Sequence, residues 1–356
     1  MKKKILVDLS ILKHRNCGLG QVAFNYGRFF KEYYKKSNEF DLYVLLPKKM
    51  VGEFGPEINY ISSNWVFKYF PFLLPTFDVW HAIHQLSNFK PFHKRTKLIL
   101  TIHDFNFMYE KRESKSRRYL NKVQSEINRA DKIICISKFS KSEAERFADL
   151  KGKSIDVIYN GVEQFDFSIA KRPDFIKSST PFFLSIGQIK TKKNFHVLLP
   201  LMKMIPDREL YIAGKCGTPY ADQIQDTIKK ENITNVHLIG EVTDSERIWL
   251  YNHCEAFLYP SLFEGFGLPV VEAMYFGKPV FTTEETSLKE IGGGLTYIWN
   301  NFEATYMKDI LIAGLTVFQQ SSLKAQQNID YAKSFSYEKH MAAYMRIYKL
   351  LLSDRK

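Results

Sequence analysis

The sequence predicts an α/β protein built from two parallel-sheet domains, and three observations support that fold class. The chain has 356 residues, too long for one ordinary core and suited to two domains of roughly 150 to 180 residues. Short apolar runs typical of buried strands recur through both halves and alternate with helical patterns. In each half, a glycine-containing loop follows a strand and leads into a helix. Alternating strands and helices favour parallel sheets covered by helices on both faces.

The first half contains six runs that predict buried strands, at 5–7, 42–46, 78–81, 98–102, 133–136 and 155–159. An amphipathic helix is predicted from 21 to about 36, and Ser137 is a candidate N-cap for another. A polar, proline-containing segment at 164–181 is typical of a linker.

The second half restarts the pattern with predicted strands at 182–186, 210–213, 236–240, 257–259 and 279–282. A helix is predicted after Pro269 and ends near Gly277, a residue suited to a helix C-terminus. A last amphipathic helix, from 336 to about 352, is predicted by its stripe of methionine, tyrosine and leucine.

The segment 64–75 carries five aromatic residues and a single lysine. It is too short to span a bilayer. Two interpretations remain open: a segment at a membrane interface or around a lipid tail, and a helix buried against the sheet.

The net charge of +13 lies in the N-terminal half. Residues 1–178 contain 32 Lys and Arg against 19 Asp and Glu, and the remainder contains 19 of each. This asymmetry favours an anionic partner for the first half, whether a membrane surface, a lipid-linked diphosphate or nucleic acid, over a merely solvated basic face. No uncharged apolar run is long enough to span a membrane, and Asp8 interrupts the apolar start too early for a signal peptide.

Metal and disulfide chemistry are not predicted. The four cysteines lie far apart without a Cys-x-x-Cys pair, which is typical of a reduced cytoplasmic protein. No Asp-x-Asp occurs, which argues against a diphosphate held through a divalent metal.

The stretch 261–274 combines a glycine-rich loop with the start of a helix. Gly265 and Gly267 permit a tight turn, and the free N–H groups of the helix start suit a phosphate. Glu264 and Glu272 add two carboxylates, which accept hydrogen bonds from vicinal hydroxyls such as those of a sugar and a ribose. The combination predicts a nucleotide sugar as ligand.

The run Phe-Glu-Gly-Phe-Gly-Leu-Pro followed by Glu-Ala, with seven residues between Glu264 and Glu272, resembles the signature of the family-four retaining glycosyltransferases of GT-B fold. The resemblance implies two Rossmann-like domains facing an interdomain cleft. It implies that Glu264 contacts the donor sugar, that Glu272 contacts the ribose, and that the donor phosphate meets a backbone loop made of Gly265, Phe266, Gly267 and Leu268.

The resemblance also assigns residues outside this loop. Lys193 matches a lysine that grips the donor diphosphate, with Gly187, Gln188 and Lys192 beside it. Gln188 stands where many members carry arginine, and Lys190 is the candidate to compensate. His103 follows a central strand where members place a histidine beside the donor sugar, so the expected catalytic residues are His103, Glu264 and Lys193. Candidates for the acceptor side are Asp104 and the loop glycines Gly18 and Gly20.

The expected domains are 1–178 for the acceptor and 179–336 for the nucleotide sugar, with a helix at about 337–356 packing back on the first.

The expected function is metal-independent, cofactor-free retaining transfer of a hexose from a nucleotide diphosphate sugar, with a lean to GDP-mannose. The acceptor is a glycan or lipid-linked glycan of the cell envelope, such as lipopolysaccharide, O-antigen or capsule. The expected place is the cytoplasm or the inner membrane face. Alternatives are a UDP-hexose transferase, an inactive nucleotide-sugar-binding relative and, less favoured, a nucleic-acid-binding module.

Overall fold

The computed structural model describes residues 2–15, 17–36, 39–177 and 179–353. The chain divides into two compact units, the first formed by Met1–Glu163 with Ser336–Lys356 and the second by Gln164–Phe335. The domain boundary expected at Ser178 lies outside the described residues, as do the last three residues expected in the C-terminal helix.

The first unit is built on a seven-stranded sheet in the order β3-β2-β1-β4-β5-β6-β7, and every neighbouring pair is parallel. The strands are β1 (Lys4–Asp8), β2 (Asp41–Leu46), β3 (Asn59–Ser62), β4 (Val79–Ala82), β5 (Lys97–Ile102), β6 (Lys132–Cys135) and β7 (Ile155–Val157). The central strands are buried on both faces, which is why they read as continuous apolar runs in the sequence.

Helices cover this sheet: α1 (Gly18–Tyr34), α2 (Trp65–Tyr69), α3 (Phe107–Glu110), α4 (Glu113–Arg129) and α5 (Lys138–Phe147). Ser137 caps α5 as predicted, because its side chain accepts the Ser140 N–H at 2.9 Å. Helix α1 begins at Gly18, three residues earlier than expected, because the Cys17 side chain caps it by accepting from the Gly20 N–H.

The second unit is built on a six-stranded parallel sheet in the order β10-β9-β8-β11-β12-β13. Its strands are β8 (Phe182–Ile186), β9 (Glu209–Ala213), β10 (Val236–Gly240), β11 (Ala256–Tyr259), β12 (Val280–Thr282) and β13 (Tyr297–Ile298). Its helices are α6 (Leu198–Lys203), α7 (Pro219–Lys230), α8 (Asp244–His253), α9 (Leu268–Tyr275), α10 (Leu288–Gly292), α11 (Ala304–Gln319) and α12 (Ser322–Lys333). Two parallel sheets, each with its own apolar core, confirm the predicted fold class.

The segment predicted as a linker packs onto the second unit. The Phe165 ring lies 4.8 Å from that of Phe276, and the Lys171 N–H donates to the Ser245 carbonyl at 3.1 Å.

The C-terminal helix α13 (Tyr337–Ser353) belongs to the first unit and docks through buried hydrogen bonds. The two ring nitrogens of His81 contact the Tyr348 hydroxyl at 2.7 Å and the Thr101 hydroxyl at 2.9 Å. His340 Nδ1 donates to the Tyr159 carbonyl at 2.7 Å, so its Nε2 accepts from the Tyr26 hydroxyl at 3.1 Å. These bonds satisfy polar groups that would otherwise be costly inside the core.

Within the described residues, no helix is long and apolar enough to cross a membrane.

We expect acid to weaken the first unit through His340. Burial lowers the pKa of His340 from 6.5 to about 4, so the unfolded chain takes up its proton first as the pH falls. The contribution of the neutral His340 ring to the free energy of unfolding is fully present above about pH 6.5 and is lost as the pH falls toward about 4. At about pH 5 it amounts to a loss of about 2 kcal/mol.

The measurement compares thermal unfolding near neutral pH and at about pH 5 for the wild type, His340→Gln and a control, His253→Gln, whose histidine is exposed on the second unit. His340→Gln should lose less stability in acid than the wild type, and the control should match the wild type. If the wild type and both variants lose the same stability in acid, the acid sensitivity does not come from His340.

Candidate active site

A lysine and a glutamate meet at the carboxyl edge of the second sheet. Lys193 ends a short 3-10 helix (Thr191–Lys193) after β8, and Glu264 follows β11, the neighbouring strand. Lys193 Nζ donates to Glu264 Oε1 in an ion pair whose side chains are only 10% and 12% exposed. Parallel strands bring residues from distant parts of the sequence to one edge, where open α/β sheets bind ligands.

Two hydroxyl groups also contact this pair. The Tyr259 hydroxyl accepts from Lys193 Nζ at 2.6 Å and donates to Glu264 Oε1 at 2.7 Å. The Ser261 hydroxyl donates to the same oxygen at 2.6 Å. Glu264 Oε1 therefore accepts three hydrogen bonds, which fix the carboxylate in one orientation.

The Glu264 carboxylate is ionised despite its burial. Burial by itself raises the pKa of this carboxyl, but the charges of Lys193 and Lys192 and the hydrogen bonds from Lys193 and Ser261 outweigh it and lower the pKa below its ordinary value. The phenol of Tyr259 shows the complementary effect, since burial first and then Glu264 hold its pKa well above its ordinary value. Tyr259 is thus a permanent hydrogen-bond donor to the carboxylate.

Residues after β12 hold the glycine-rich loop in place. The Glu264 N–H donates to Thr286 Oγ1 at 3.0 Å, and the Ser287 hydroxyl donates to the carbonyls of Glu264 and Phe266, each at 3.0 Å. Thr286 adopts φ 59°, a left-handed conformation that is strained for a β-branched residue. Such strain persists only where the surroundings impose it, and it often marks functional loops.

Glycines allow backbone segments to approach closely around Lys193. A Cβ at Gly214 would overlap the carbonyl oxygen of Gly187 at the end of β8. A Cβ at Gly187 itself would lie 3.4 Å from Lys193 Cε. The lysine stem therefore lies beside the Gly187 backbone, one of the residues predicted to flank Lys193.

The predicted phosphate loop ends at the start of α9. Gly267 is the residue before this helix and adopts φ 101°, and a Cβ there would lie 2.7 Å from Leu288 Cδ2. Leu268 and Pro269 open the helix, and no side chain caps it. An uncapped helix N-terminus next to the Lys193–Glu264 pair has the polarity that an anion needs.

Glu272, the second predicted carboxylate, lies in the middle of α9 with its own partners. Its Oε1 accepts from Arg247 at 3.1 Å and its Oε2 accepts from the Tyr251 hydroxyl at 2.9 Å, both from α8. Glu264 and Glu272 both raise the pKa of Tyr259, although burial is the larger cause, so the two carboxylates flank the same phenol.

Lys192 and Gln188, also predicted to bind the donor, lie in the chain segment between β8 and Lys193. Lys192 is half-buried, and its carbonyl accepts the Leu262 N–H at 2.8 Å, which joins the two loops. Gln188 is half-buried in the turn after Gly187. Asn194, next to Lys193, adopts φ 57°, and its buried Nδ2 has no hydrogen-bond partner within the described part of the chain.

The sequence does not identify five further candidate functional residues, which the structure places around the two glutamates and their loop: Tyr259, Ser261, Thr286, Arg247 and Tyr251. Each acts by orienting a glutamate or its loop. The only available signal was the Tyr-Pro-Ser run at the end of a predicted strand, where two hydroxyls interrupt apolar residues.

The first unit places His103 and Asp104 directly after β5. Gln85 holds both, since its Oε1 accepts the His103 N–H at 3.1 Å and its Nε2 donates to the Asp104 carbonyl at 2.7 Å. His103 Nε2 donates to the Ile83 carbonyl at 2.8 Å, which leaves Nδ1 as an acceptor. Burial lowers the pKa of His103 to about 4, so the ring is neutral near neutral pH.

Gly18 and Gly20 lie in the first turn of α1 and not in a loop. A Cβ at Gly20 would overlap the His14 carbonyl oxygen, so close packing explains this glycine. Gly18 is exposed, and nothing lies within 4 Å of where its Cβ would be.

No three histidine, cysteine, aspartate or glutamate side chains converge on a metal-sized site within the described ranges.

Comparison with known proteins identifies the class. The family described as "Glycosyl transferases group 1" matches residues 166–293, and the one described as "Glycosyltransferase Family 4" matches residues 47–164. The structure of Anabaena Alr3699/HepE in complex with UDP and glucose superposes with a TM-score of 0.73 at 18% identity, covering 99% of this chain and 100% of that one. At that identity the likeness shows the fold, which is GT-B.

Two curated relatives add sequence similarity. The serotype-specific mannosyltransferase WbdA of Escherichia coli is 31% identical over 213 residues, covering 56% of this chain and 26% of that protein. The O-antigen chain mannosyltransferase B of Escherichia coli is 25% identical over 294 residues, covering 76% and 74%. The match thus spans about a quarter of the length of the first relative.

Two parallel-sheet units of GT-B type and the two family matches define the class as glycosyltransferase. The two family matches together span most of the chain. The chain belongs to the family-four glycosyltransferases, which confirms the resemblance predicted from the glutamate motif.

We expect Tyr259→Phe to destabilise the second unit by about 1.5–3 kcal/mol, the usual cost of losing hydrogen bonds to charged groups. The substitution removes only the oxygen that touches Lys193 and Glu264. Urea unfolding followed by circular dichroism measures the change.

Tyr297→Phe is the matched control on the same unit. Its hydroxyl is buried and lacks a hydrogen-bond partner within the described residues, so its removal should be neutral or slightly stabilising. If the two variants lose stability equally, the Tyr259 hydroxyl does not support the ion pair.

Proposed function

We propose that the protein transfers a hexose, with mannose favoured, from a nucleotide diphosphate sugar to a hydroxyl of a growing cell-envelope glycan. Lipopolysaccharide, O-antigen and capsule are the glycans we favour. Transfer retains the anomeric configuration and needs no metal. The names of the relatives support the sugar, since WbdA and the O-antigen chain enzyme are mannosyltransferases.

The observation that carries this proposal is the buried Lys193–Glu264 pair beside the uncapped start of α9. A leaving nucleotide diphosphate gains negative charge as its bond to the sugar breaks. A lysine held in a largely water-excluded place, together with backbone N–H groups, stabilises that charge more strongly than water does. This machinery replaces the divalent metal that other transferases use.

The proposed reaction is a front-face substitution. The bond between the sugar C1 and the diphosphate oxygen breaks, and the acceptor hydroxyl oxygen bonds to C1 on the same face. The acceptor proton passes to the departing diphosphate. The protein therefore needs no covalent nucleophile, and Glu264 can remain an ionised acceptor for sugar hydroxyls.

Glu272 is assigned to the ribose of the donor. Arg247 and Tyr251 orient its carboxylate, and a carboxylate oxygen can accept more than one hydrogen bond. His103, in the first unit, is assigned to the transferred sugar. Its neutral ring offers Nδ1 as an acceptor for a hydroxyl and is unsuited to act as a general acid near neutral pH.

Thermal unfolding with GDP, UDP, GDP-mannose and the UDP-hexoses, without added metal, tests the donor. A ligand at about 100 times its Kd stabilises by about 2.7 kcal/mol. We expect selective stabilisation by GDP and GDP-mannose. Selective stabilisation by UDP and one UDP-hexose would instead identify that hexose, and not mannose, as the transferred sugar.

Glu272→Gln tests the ribose contact in the same assay. Loss of charge-assisted hydrogen bonds should weaken nucleotide affinity by about 10- to 100-fold. Glu231→Gln, which alters an exposed glutamate paired with Lys203, is the control and should bind like the wild type. Unchanged affinity in Glu272→Gln would remove the ribose assignment.

An inactive nucleotide-sugar-binding relative is the second candidate, because Gln188 stands where many family members carry arginine. It would bind the same nucleotides but transfer no sugar to any envelope glycan acceptor.

Metal independence is tested with chelator. We expect equal transfer rates with excess EDTA and with Mg²⁺ or Mn²⁺, because a lysine supplies the positive charge. Lys193→Ala should lower kcat by about 100-fold or more, and neither metal should restore it. A rate that falls in EDTA and recovers with Mg²⁺ would show that the diphosphate is held through a metal.

A further inference from the structure

The first unit exposes a set of large apolar side chains on the segments that follow β3 and β4. Trp65 is 67% exposed and Phe72 is 53% exposed. The set, called here the aromatic face, consists of six residues with more than 40% exposure each: Trp65, Tyr69, Phe70, Phe72, Leu73 and Phe92. Soluble surfaces rarely expose so many large apolar groups together, and such patches mark interaction sites.

The aromatic face is continuous. Trp65 and Tyr69 are four residues apart on α2 and share one side of the helix. The Phe72 ring lies 6.0 Å from that of Phe70 and 5.9 Å from that of Phe92, which joins the segment after β3 to the segment after β4.

A helix cap and buried residues hold the segment in place, so the exposure of its aromatic side chains follows from the fold. The Asn64 side chain caps α2 by accepting the Phe67 N–H at 3.1 Å. Leu74 and Phe77, which follow the short 3-10 helix Pro71–Leu73, are 6% and 2% exposed in the core. The sequence allows either a buried helix or an interface segment here, and the structure shows that no residue of α2 is buried.

Positive charge surrounds the aromatic face. Between Asn64 and Arg95 the only acidic residue is Asp78, whose carboxylate is engaged by Lys3 and by the Lys4 N–H. Lys68, Lys90 and Arg118 all lie near enough to Lys122 to lower its pKa, although burial is the larger cause. Lys90 also pairs with Glu126, so the surrounding charge is not wholly uncompensated. The exposed basic residues of this region are Lys68, Lys90, Lys94, Arg95 and Arg118.

We propose that the aromatic face docks on the surface of an anionic lipid bilayer. Aromatic side chains partition into the headgroup region, and lysines beside them are attracted to anionic lipids. The combination supplies the two signals that stable peripheral binding needs. Helix α2 has five residues, so it lies on the bilayer and does not cross it.

Charge favours this occupant over a second copy of the chain. A symmetric dimer through this face would place the same lysines opposite each other, which costs free energy. A lipid surface with negative headgroups has no such penalty. This inference does not depend on which sugar the protein transfers.

The test mixes the full chain with vesicles of phosphatidylcholine alone or with about 30% phosphatidylglycerol, followed by sedimentation. We expect binding to the anionic vesicles only, weakened in about 0.5 M salt. Trp65 fluorescence reports contact with the vesicle, because the other tryptophans are more shielded: Trp80 and Trp299 are 1% exposed and Trp249 is half-buried. Its fluorescence should shift to the blue when anionic vesicles are added.

Two variants separate the apolar and the electrostatic contributions. Trp65→Ser with Phe72→Ser should weaken vesicle binding by about tenfold or more. Lys68→Glu with Lys94→Glu should weaken it by at least about fivefold for each charge removed. The controls alter the second unit: Leu323→Ser, at a site that is 65% exposed, and Lys229→Glu with Lys230→Glu, and both should bind like the wild type.

The proposal is overturned if the wild type does not bind anionic vesicles, or if the aromatic-face variants bind as well as the controls. It is also overturned if analytical ultracentrifugation shows a dimer that Trp65→Ser with Phe72→Ser dissolves while vesicle binding is absent. In that case the face is an interface between two copies.

Discussion

The buried pair of Lys193 and Glu264 is the interaction on which the rest of the second unit's site depends. Neither charge is affordable alone in so enclosed a place, because an unpaired buried ion costs several kcal/mol. Tyr259 and Ser261 make the burial tolerable by donating to the same carboxylate oxygen that the lysine meets. In the proposed function, the donor meets charges that are already oriented before it binds.

The backbone around this pair follows from the same requirement. Lys193 reaches Glu264 because β8 and β11 are adjacent parallel strands, so the loops that follow them lie at the same edge of the sheet. The loop that carries Glu264 is tied to Thr286 and Ser287, and the strained φ of Thr286 is the cost of that tie. The strained conformation of Thr286 thus accompanies the hydrogen bonds that hold the loop of Glu264 in place.

Much of the fold was predictable, because strands buried on both faces appear as unbroken apolar runs and glycine loops interrupt them. The site was only partly predictable. Glu264, Glu272 and Lys193 stand out because a charged residue in a glycine-rich loop has few structural explanations. Tyr259 does not stand out, because a tyrosine ending a buried strand looks like core until its hydroxyl is seen between two charges. Arg247 and Tyr251 were missed because only the packing of α8 on α9 brings them to Glu272. The aromatic face was undecided for the same reason: exposure depends on which side of a segment the core occupies.

The two units use positive charge in opposite ways, and this difference explains the uneven composition. In the second unit, where basic and acidic residues nearly balance, the decisive lysine is enclosed and matched by a carboxylate. In the first unit the excess cations remain largely at the surface, and several surround exposed aromatic rings. An enclosed cation acts on one bound ligand at short range, whereas exposed cations act together on an extended anionic surface. The charge on the first unit therefore suits the proposed binding to an anionic surface, and the charge in the second unit suits the proposed stabilisation of a leaving group.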